Sequence, residues 1–194
     1  MRYDISKNFS TKIEFGLLNE YNTLFGTKWN GAFGIGDNNI TYMTSLQNEL
    51  NLFKNKFSIL GKINFGYTNV NSVQNSLIKN ISNIYSNSYA FGLNYNFDSD
   101  FSKQKSNVSF LISQPISLQS GSLDISLPVA RDFDGNLYYS NHKINLNNQR
   151  ETNYQFTYNH SIKDDSSFNF GAIYRDYIND EFIVLLKYKK NFSF

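Results

Sequence analysis

The chain has 194 residues, enough for one domain with a sizeable core. Its formal net charge of +2, with no basic block, does not point to nucleic acid, and the absence of cysteine excludes disulfides and thiolate metal sites. Aromatic residues are abundant, 18 Phe and 14 Tyr against one Trp, yet no run approaches the roughly 18 apolar residues of a membrane-spanning helix.

Read in order, residues 2–9 are expected to be part of a strand. From Thr11 the alternation is firm: Ile13, Phe15, Leu17 and Tyr21 share a parity against Lys12, Glu14, Gly16 and Glu20. Period-2 alternation marks a strand with one apolar and one polar face. Residues 23–40, with Gly26, Gly31, Gly34 and Gly36, read as a long loop. Strands are predicted over 41–53 and 57–70, joined by a polar turn at Lys54–Lys56. Residues 71–84 read as a second long loop, with a helical turn around Val73–Ile81. Strands follow at 85–98, 106–117, 120–129, 136–146, 150–162, 166–176 and from Glu181 onward. Turns separate them at Asp98–Lys105, 130–135 and 163–165, and a loop at Tyr177–Asp180.

That makes about ten strands of roughly 9–14 residues, the length a tilted strand needs to cross a bilayer. If the chain ends at the periplasmic side, parity puts the turns at 54–56, 98–105, 130–135 and 163–165 there too. The long loops 23–40 and 71–84 fall outside, which is the asymmetry of outer-membrane barrels. The expected fold is therefore all-β, an antiparallel up-and-down transmembrane β-barrel. A barrel alternates lipid-facing and lumen-facing residues, so low mean hydropathy does not argue against it.

The two parities then divide the chemistry. Phe, Tyr, Leu and Ile face lipid, and small polar residues line the lumen, with Lys12, Glu14, Glu20, Glu49, Lys62, Asp124, Lys187 and Lys189 as its charged members. Glu14, Glu20 and Glu49 are expected to pair with Lys12 and Lys62 in an internal salt-bridge network rather than act as a general acid and base. The last strand places Leu186, Tyr188, Phe192 and Phe194 on the apolar face and ends on an aromatic.

These features resemble the C-terminal β-domain of autotransporters, most closely those with a subtilisin-like serine protease passenger. Ile112-Ser-Gln-Pro-Ile-Ser-Leu-Gln-Ser-Gly-Ser-Leu-Asp-Ile-Ser-Leu-Pro128 resembles a stretch of that group, with Gln114-Pro115, Gly121 and Pro128 its most specific part. Asn147–Thr152 resembles the group's entry to the next strand, and Phe170-Gly-Ala-Ile-Tyr-Arg-Asp176 a later hairpin. Two departures stand out: Gln149 replaces the usual Gly before Arg150, and Pro is missing after Asp176. The resemblance implies a barrel of about twelve strands, of which ten are visible. It implies an outer-membrane location, lipid and the barrel-insertion machinery as partners, and the chain's own passenger segment in the lumen. Leu186, Tyr188, Phe192 and Phe194 would be the assembly signal. Met1-Arg-Tyr-Asp-Ile-Ser-Lys7 has no signal-peptide core, so an exported chain is expected to be the tail of a longer one.

No enzymatic site is expected in the chain, and no cofactor. His142 and His160 are its only histidines. Asp164, Asp165 and several Ser lie near His160 in sequence, but on the strand pattern His160 sits on the apolar parity as an interfacial residue. No Gly-x-Ser-x-Gly elbow is present. Gly31-x-x-Gly34-x-Gly36 lacks the context of a phosphate loop, and Asp37-Asn-Asn has the wrong spacing for Ca²⁺. Two other readings remain: a stand-alone small outer-membrane barrel, porin or ten-stranded enzyme, and a soluble β-sheet binding domain.

Overall fold

The computed structural model describes residues 1–72, 76–98, 105–147, 149–163 and 166–190. Fourteen strands are present among them: β1 (Arg2–Ser6), β2 (Phe9–Glu20), β3 (Thr23–Leu24), β4 (Thr27–Lys28), β5 (Asn39–Leu52), β6 (Phe57–Asn69), β7 (Ile78–Ile81), β8 (Ile84–Asp98), β9 (Lys105–Ser120), β10 (Ser122–Arg131), β11 (Leu137–Asn145), β12 (Thr152–Lys163), β13 (Ser166–Asp176) and β14 (Glu181–Lys190). Nine form one antiparallel sheet in the order β1-β2-β5-β6-β8-β9-β12-β13-β14. A three-stranded sheet, β11-β10-β7, and a small β3-β4 hairpin complete the fold.

The main sheet is an up-and-down meander, and its connections are unequal. At one end sit the short links 7–8 and 53–56. At the other sit 21–38, 70–83, 121–151 and 177–180. The turns expected within 98–105 and 163–165 centre on residues outside those described. The 53–56 turn reverses the chain with Phe53, Lys54 and Asn55 all in the left-handed region. It is tied to β8 by the Asn96 N–H, which donates to the Lys56 carbonyl at 2.7 Å.

The sheet is open: among the described residues β1 pairs only with β2, and β14 only with β13. Closure, expected from the alternation, is not seen. Two predicted strands also leave the main sheet. Residues 120–129 and 136–146 are extended, but as β10 and β11 they pair with each other and with β7. The break is at Gly121, where φ is +151° and an added Cβ would lie 3.2 Å from Ile84 Cγ1. The 130–135 turn is consequently the tip of a hairpin rising from the long-connection end, not a short turn of the opposite end.

Register explains how the faces arise. Partners across an antiparallel ladder share a face. One row runs Glu14, Ser45, Asn64, Ser88; the next runs Phe15, Thr44, Phe65, Asn87. The aromatic side of the sheet is bare: Phe15 is 79% exposed and Phe65 58%. The polar side is the concave one. Residues of β5, β6, β8, β9 and β12 line a single hollow of about 420 Å³, including Glu49, Asn94, Ser109 and Thr157. Five adjacent strands share one hollow only if the sheet curls around it.

The buried core is small and sits at the long-connection end. Leu24, Ile35, Val70, Ile78, Ile81, Ile84 and Leu123 form it, with Trp29 and Leu146 against it. Its members come from the 21–38 connection, β7, β10 and the ends of β6 and β8. The expected helical turn around Val73–Ile81 falls partly outside the described residues, and its later part is β7. Ile78 pairs with Ile125 and Ile81 with Leu123, with the register shifting between them. A bulge of one residue at Lys79 puts Ile78 and Ile81 on one face. It thereby mimics the i, i+3 spacing of a helix.

Loop 21–38 is stitched to loop 70–83 by backbone contacts. The Gly36 N–H donates to the Asn71 carbonyl at 2.6 Å, and Leu77 N–H to the Ala32 carbonyl at 2.7 Å. At Gly36 a Cβ would meet Asn71 Cβ at 2.7 Å and its carbonyl oxygen at 2.8 Å. Gly36→Ala is expected to destabilise this end by about 1–3 kcal/mol, read as faster amide exchange at Asn71 and Leu77 than in the parent chain.

Candidate functional site

The site is the concave polar face of the nine-stranded sheet. It is built from cross-strand pairs of small polar side chains. The Asn64 amide donates to the Ser88 hydroxyl at 2.7 Å, and the Asn159 amide to Asn107 at 3.3 Å. Asn107 in turn donates to Asn94 and Asn96, and Ser109 pairs with Thr157. These ladders join β6 to β8 and β8 through β9 to β12.

The charged residues expected on this face divide into three groups. Lys12 and Glu14 form an ion pair at 2.6 Å, both side chains near half exposed; such pairs are worth about 0–1 kcal/mol. Glu49, Lys62, Lys187 and Lys189 share the face by register, opposite Leu60, Gln47, Asn169 and Ser167. Glu49 accepts from the Asn51 amide at 3.0 Å. Arg175 and Glu181, not singled out from sequence, form a further pair at 2.7 Å.

Glu20 and Asp124 do something else. Glu20 is 7% exposed, and its carboxylate accepts the backbone N–H groups of Phe25 at 3.0 Å and Gly26 at 2.7 Å. It clamps the turn in which Phe25 and Gly26 both have positive φ. Asp124 lies on β10, so it is not on the main sheet at all; it accepts from Asn80 of β7 at 3.4 Å. Beside Glu20, Asn39 is fully buried. Its amide donates to the carbonyls of Thr23 and Gly36, and its oxygen accepts the Asn71 N–H. The Thr41 and Thr68 hydroxyls pair at 2.9 Å just below.

Sequence reasoning missed a second hollow of about 590 Å³ higher on the same face. Leu18, Phe25, Met43 and Ile116 border it, over a floor that includes Gly16, Gly66 and Ser88. Leu18 and Met43 were visible as breaks in the polar parity of their strands. Phe25 and Ile116 were not, because one reaches in from a loop and the other sits at a bulge in β9.

On the opposite face, aromatic side chains gather at two levels. Tyr42, Tyr67 and Tyr85 are in contact near the long-connection end, with Tyr154 on Tyr174. Tyr95, Phe97, Tyr158 and His160 form a second row near the other end. His160 is thus part of an aromatic row. Its Nδ1 bonds the Ser106 hydroxyl at 2.8 Å, and Ser106 is 1% exposed and closed to any substrate. Asp164 and Asp165 lie outside the described residues. His142 is on β11 and contacts Ser140 at 3.1 Å. Among the described residues no group of His, Asp and Glu could hold a metal ion. Leu186 and Tyr188 lie on the bare aromatic face, while Phe192 and Phe194 are outside the described residues.

The hairpin tip has its own electrostatics. Asp132 accepts both the side-chain amide of Asn136, at 2.9 Å, and its backbone N–H, at 2.7 Å. These bonds, the side-chain one first, hold its carboxyl below the ordinary value of 3.8. The ionised carboxylate stabilises the turn in full above pH 3.8, and that effect is lost as pH falls from there through the lowered folded value. A carboxyl-carbon NMR titration of Asp132 is expected to have its midpoint below 3.8, and Asn136→Ala to move it upward.

A scan against known protein families, a search of curated proteins and a search of solved structures find no match to this chain.

Proposed function

We propose that the chain is a β-barrel translocator and anchor of the bacterial outer membrane, which supports export and display of a passenger preceding it. The observation that carries the membrane part is the inverted sheet, with its aromatic face bare and its small polar residues on the inside of the curve. Each Phe or Tyr has about 150–250 Å² to bury. Leaving even six half exposed exceeds the few hundred Å² of continuous apolar surface common on a soluble monomer. Lipid is the solvent that makes such a face favourable, and it obliges the strands to pair all round.

Dimensions support the same reading. Tyr85 and Tyr95 mark the two aromatic levels on β8, ten residues apart. At about 3.3 Å per residue and a tilt near 40°, that spans about 25 Å, the height of the apolar band of outer-membrane barrels. The inequality of the two ends supports it as well. After the 130–135 tip moves to the long-connection end, that end still carries all the long links. Because the nine strands alternate, β1 and β14 run the same way. An all-antiparallel barrel on this sheet takes an odd number of further strands between them.

The passenger role rests on the resemblance of Ile112–Pro128 and Phe170–Asp176 to autotransporter β-domains. In that reading Lys12, Glu14, Glu49, Lys62, Lys187 and Lys189 line the passage, and the end of β14 serves the insertion machinery. The catalytic work of the parent protein, a subtilisin-like peptidase by the same resemblance, belongs to the passenger.

Two measurements test this. Phe91→Arg, midway between the aromatic levels, is expected to cost about 2–4 kcal/mol in unfolding from lipid vesicles, and Gln155→Arg on the polar face much less. Equal costs would sink the assignment of faces. With an export signal and an epitope tag ahead of Met1 in a Gram-negative host, the tag is expected to become protease-accessible at the cell surface. A heat-modifiable, membrane-inserted barrel whose tag stays periplasmic would leave the stand-alone barrel instead.

A further inference from the structure

The polar face is not uniformly polar. Its large apolar side chains are concentrated at one level. Leu18 is two residues from the end of β2 and Met43 four from the start of β5. Ile116 is four from the end of β9, and Ile183 and Leu185 are two and four from the start of β14. Register puts Leu18, Met43, Ile183 and Leu185 on the polar face, in rows with Thr41, Gly66, Ile173 and Gly171. Ile173 is likewise three residues from the end of β13. All of these termini belong to the long-connection end. Only Leu60 and Leu111, among the described residues of the main sheet, lie deeper on this face.

Phe25 completes the level from above. It comes from the connection between β2 and β5, yet it borders the same hollow as Leu18, Met43 and Ile116. The Glu20 carboxylate fixes it there by holding the N–H groups of Phe25 and Gly26. An αL-αL turn at a Phe is costly in isolation. A buried carboxylate dedicated to that turn argues that the position of Phe25 is a specified feature.

We propose that these residues form an apolar collar inside the barrel at its long-connection end, and that the collar restricts ion flow. Where a constriction presents mainly apolar side chains, an ion must shed hydration for few polar ligands, and such constrictions gate by dewetting; Glu14, Asn64 and Ser88 line the same hollow between the apolar side chains. Below the collar the Asn, Ser and Thr ladders keep the passage wet. Glu20 is a positioning residue, acting through Phe25. The inference rests on the barrel reading and adds a function to one level of its lumen.

The test is single-channel conductance of the full chain refolded into planar bilayers, with insertion checked by heat-modifiable gel migration. Phe25→Ser, Ile116→Ser and Leu185→Ser replace exposed side chains, and each is expected to raise conductance several-fold. Phe25→Leu is expected to conduct like the parent, and Val129→Ser, on the hairpin outside the lumen, likewise. Glu20→Gln is expected to increase open-state noise as the Phe25 turn loosens. If the parent inserts and all three serine variants conduct as it does, the collar is overturned and the barrel stands. If the parent does not insert, the collar falls, since the chain then forms no closed passage for it to restrict.

Discussion

The structure depends on where the sheet puts its apolar side. Nine strands satisfy their backbone groups laterally, and the period-2 pleat sends every second side chain to the same face. Curling toward the polar face makes that face the concave one. The consequence is a sheet whose aromatic side chains lie on the convex side and whose concave side is held largely by hydroxyl and amide pairs. Such a concave face gives little hydrophobic stabilisation. The Asn107 and Ser109 ladders hold register rather than supply a large free energy, since each neutral hydrogen bond nets about 0.5–1.5 kcal/mol.

The conventional core, Ile35, Ile78, Ile84 and their neighbours, has a different task. It welds the long connections to each other at one end. Asn39, fully buried, uses both amide hydrogens and its oxygen to link Thr23, Gly36 and Asn71 across two loops. A buried polar group with all its partners fixes one arrangement of the backbone. The mouth of the proposed barrel is therefore a rigid rim, on which the β10–β11 hairpin stands and from which Glu20 directs Phe25 inward.

Pattern assigns a face within one strand and not a partner strand. Lys12, Glu14, Glu49, Lys62, Lys187 and Lys189 fall on the polar face because parity alone decides a face within one strand. Asp124 shares that parity within its own segment, yet it is absent from the main sheet. Alternation does not say which strand pairs with which, and Gly121 redirects the chain at a single backbone angle. Ile78 and Ile81 belong to a strand although they are three residues apart, because the bulge at Lys79 shifts parity by one, and spacing alone does not distinguish a bulged strand from a helical turn. Glu20 was placed on the right face with the wrong partner, since its ligands are backbone N–H groups that no composition reveals.

The sequence by itself determined that the chain is all-β, that its strands have an aromatic and a polar side, and where most of them begin and end. Those are local properties, set by side-chain period and by Gly and Asn at the turns. Only the tertiary structure decided which side is concave, which segments leave the sheet, and that Leu18, Phe25, Met43 and Ile116 meet in one hollow. Curvature and strand pairing are sums over many long-range contacts, and the pattern of one strand carries no information about its neighbour's register.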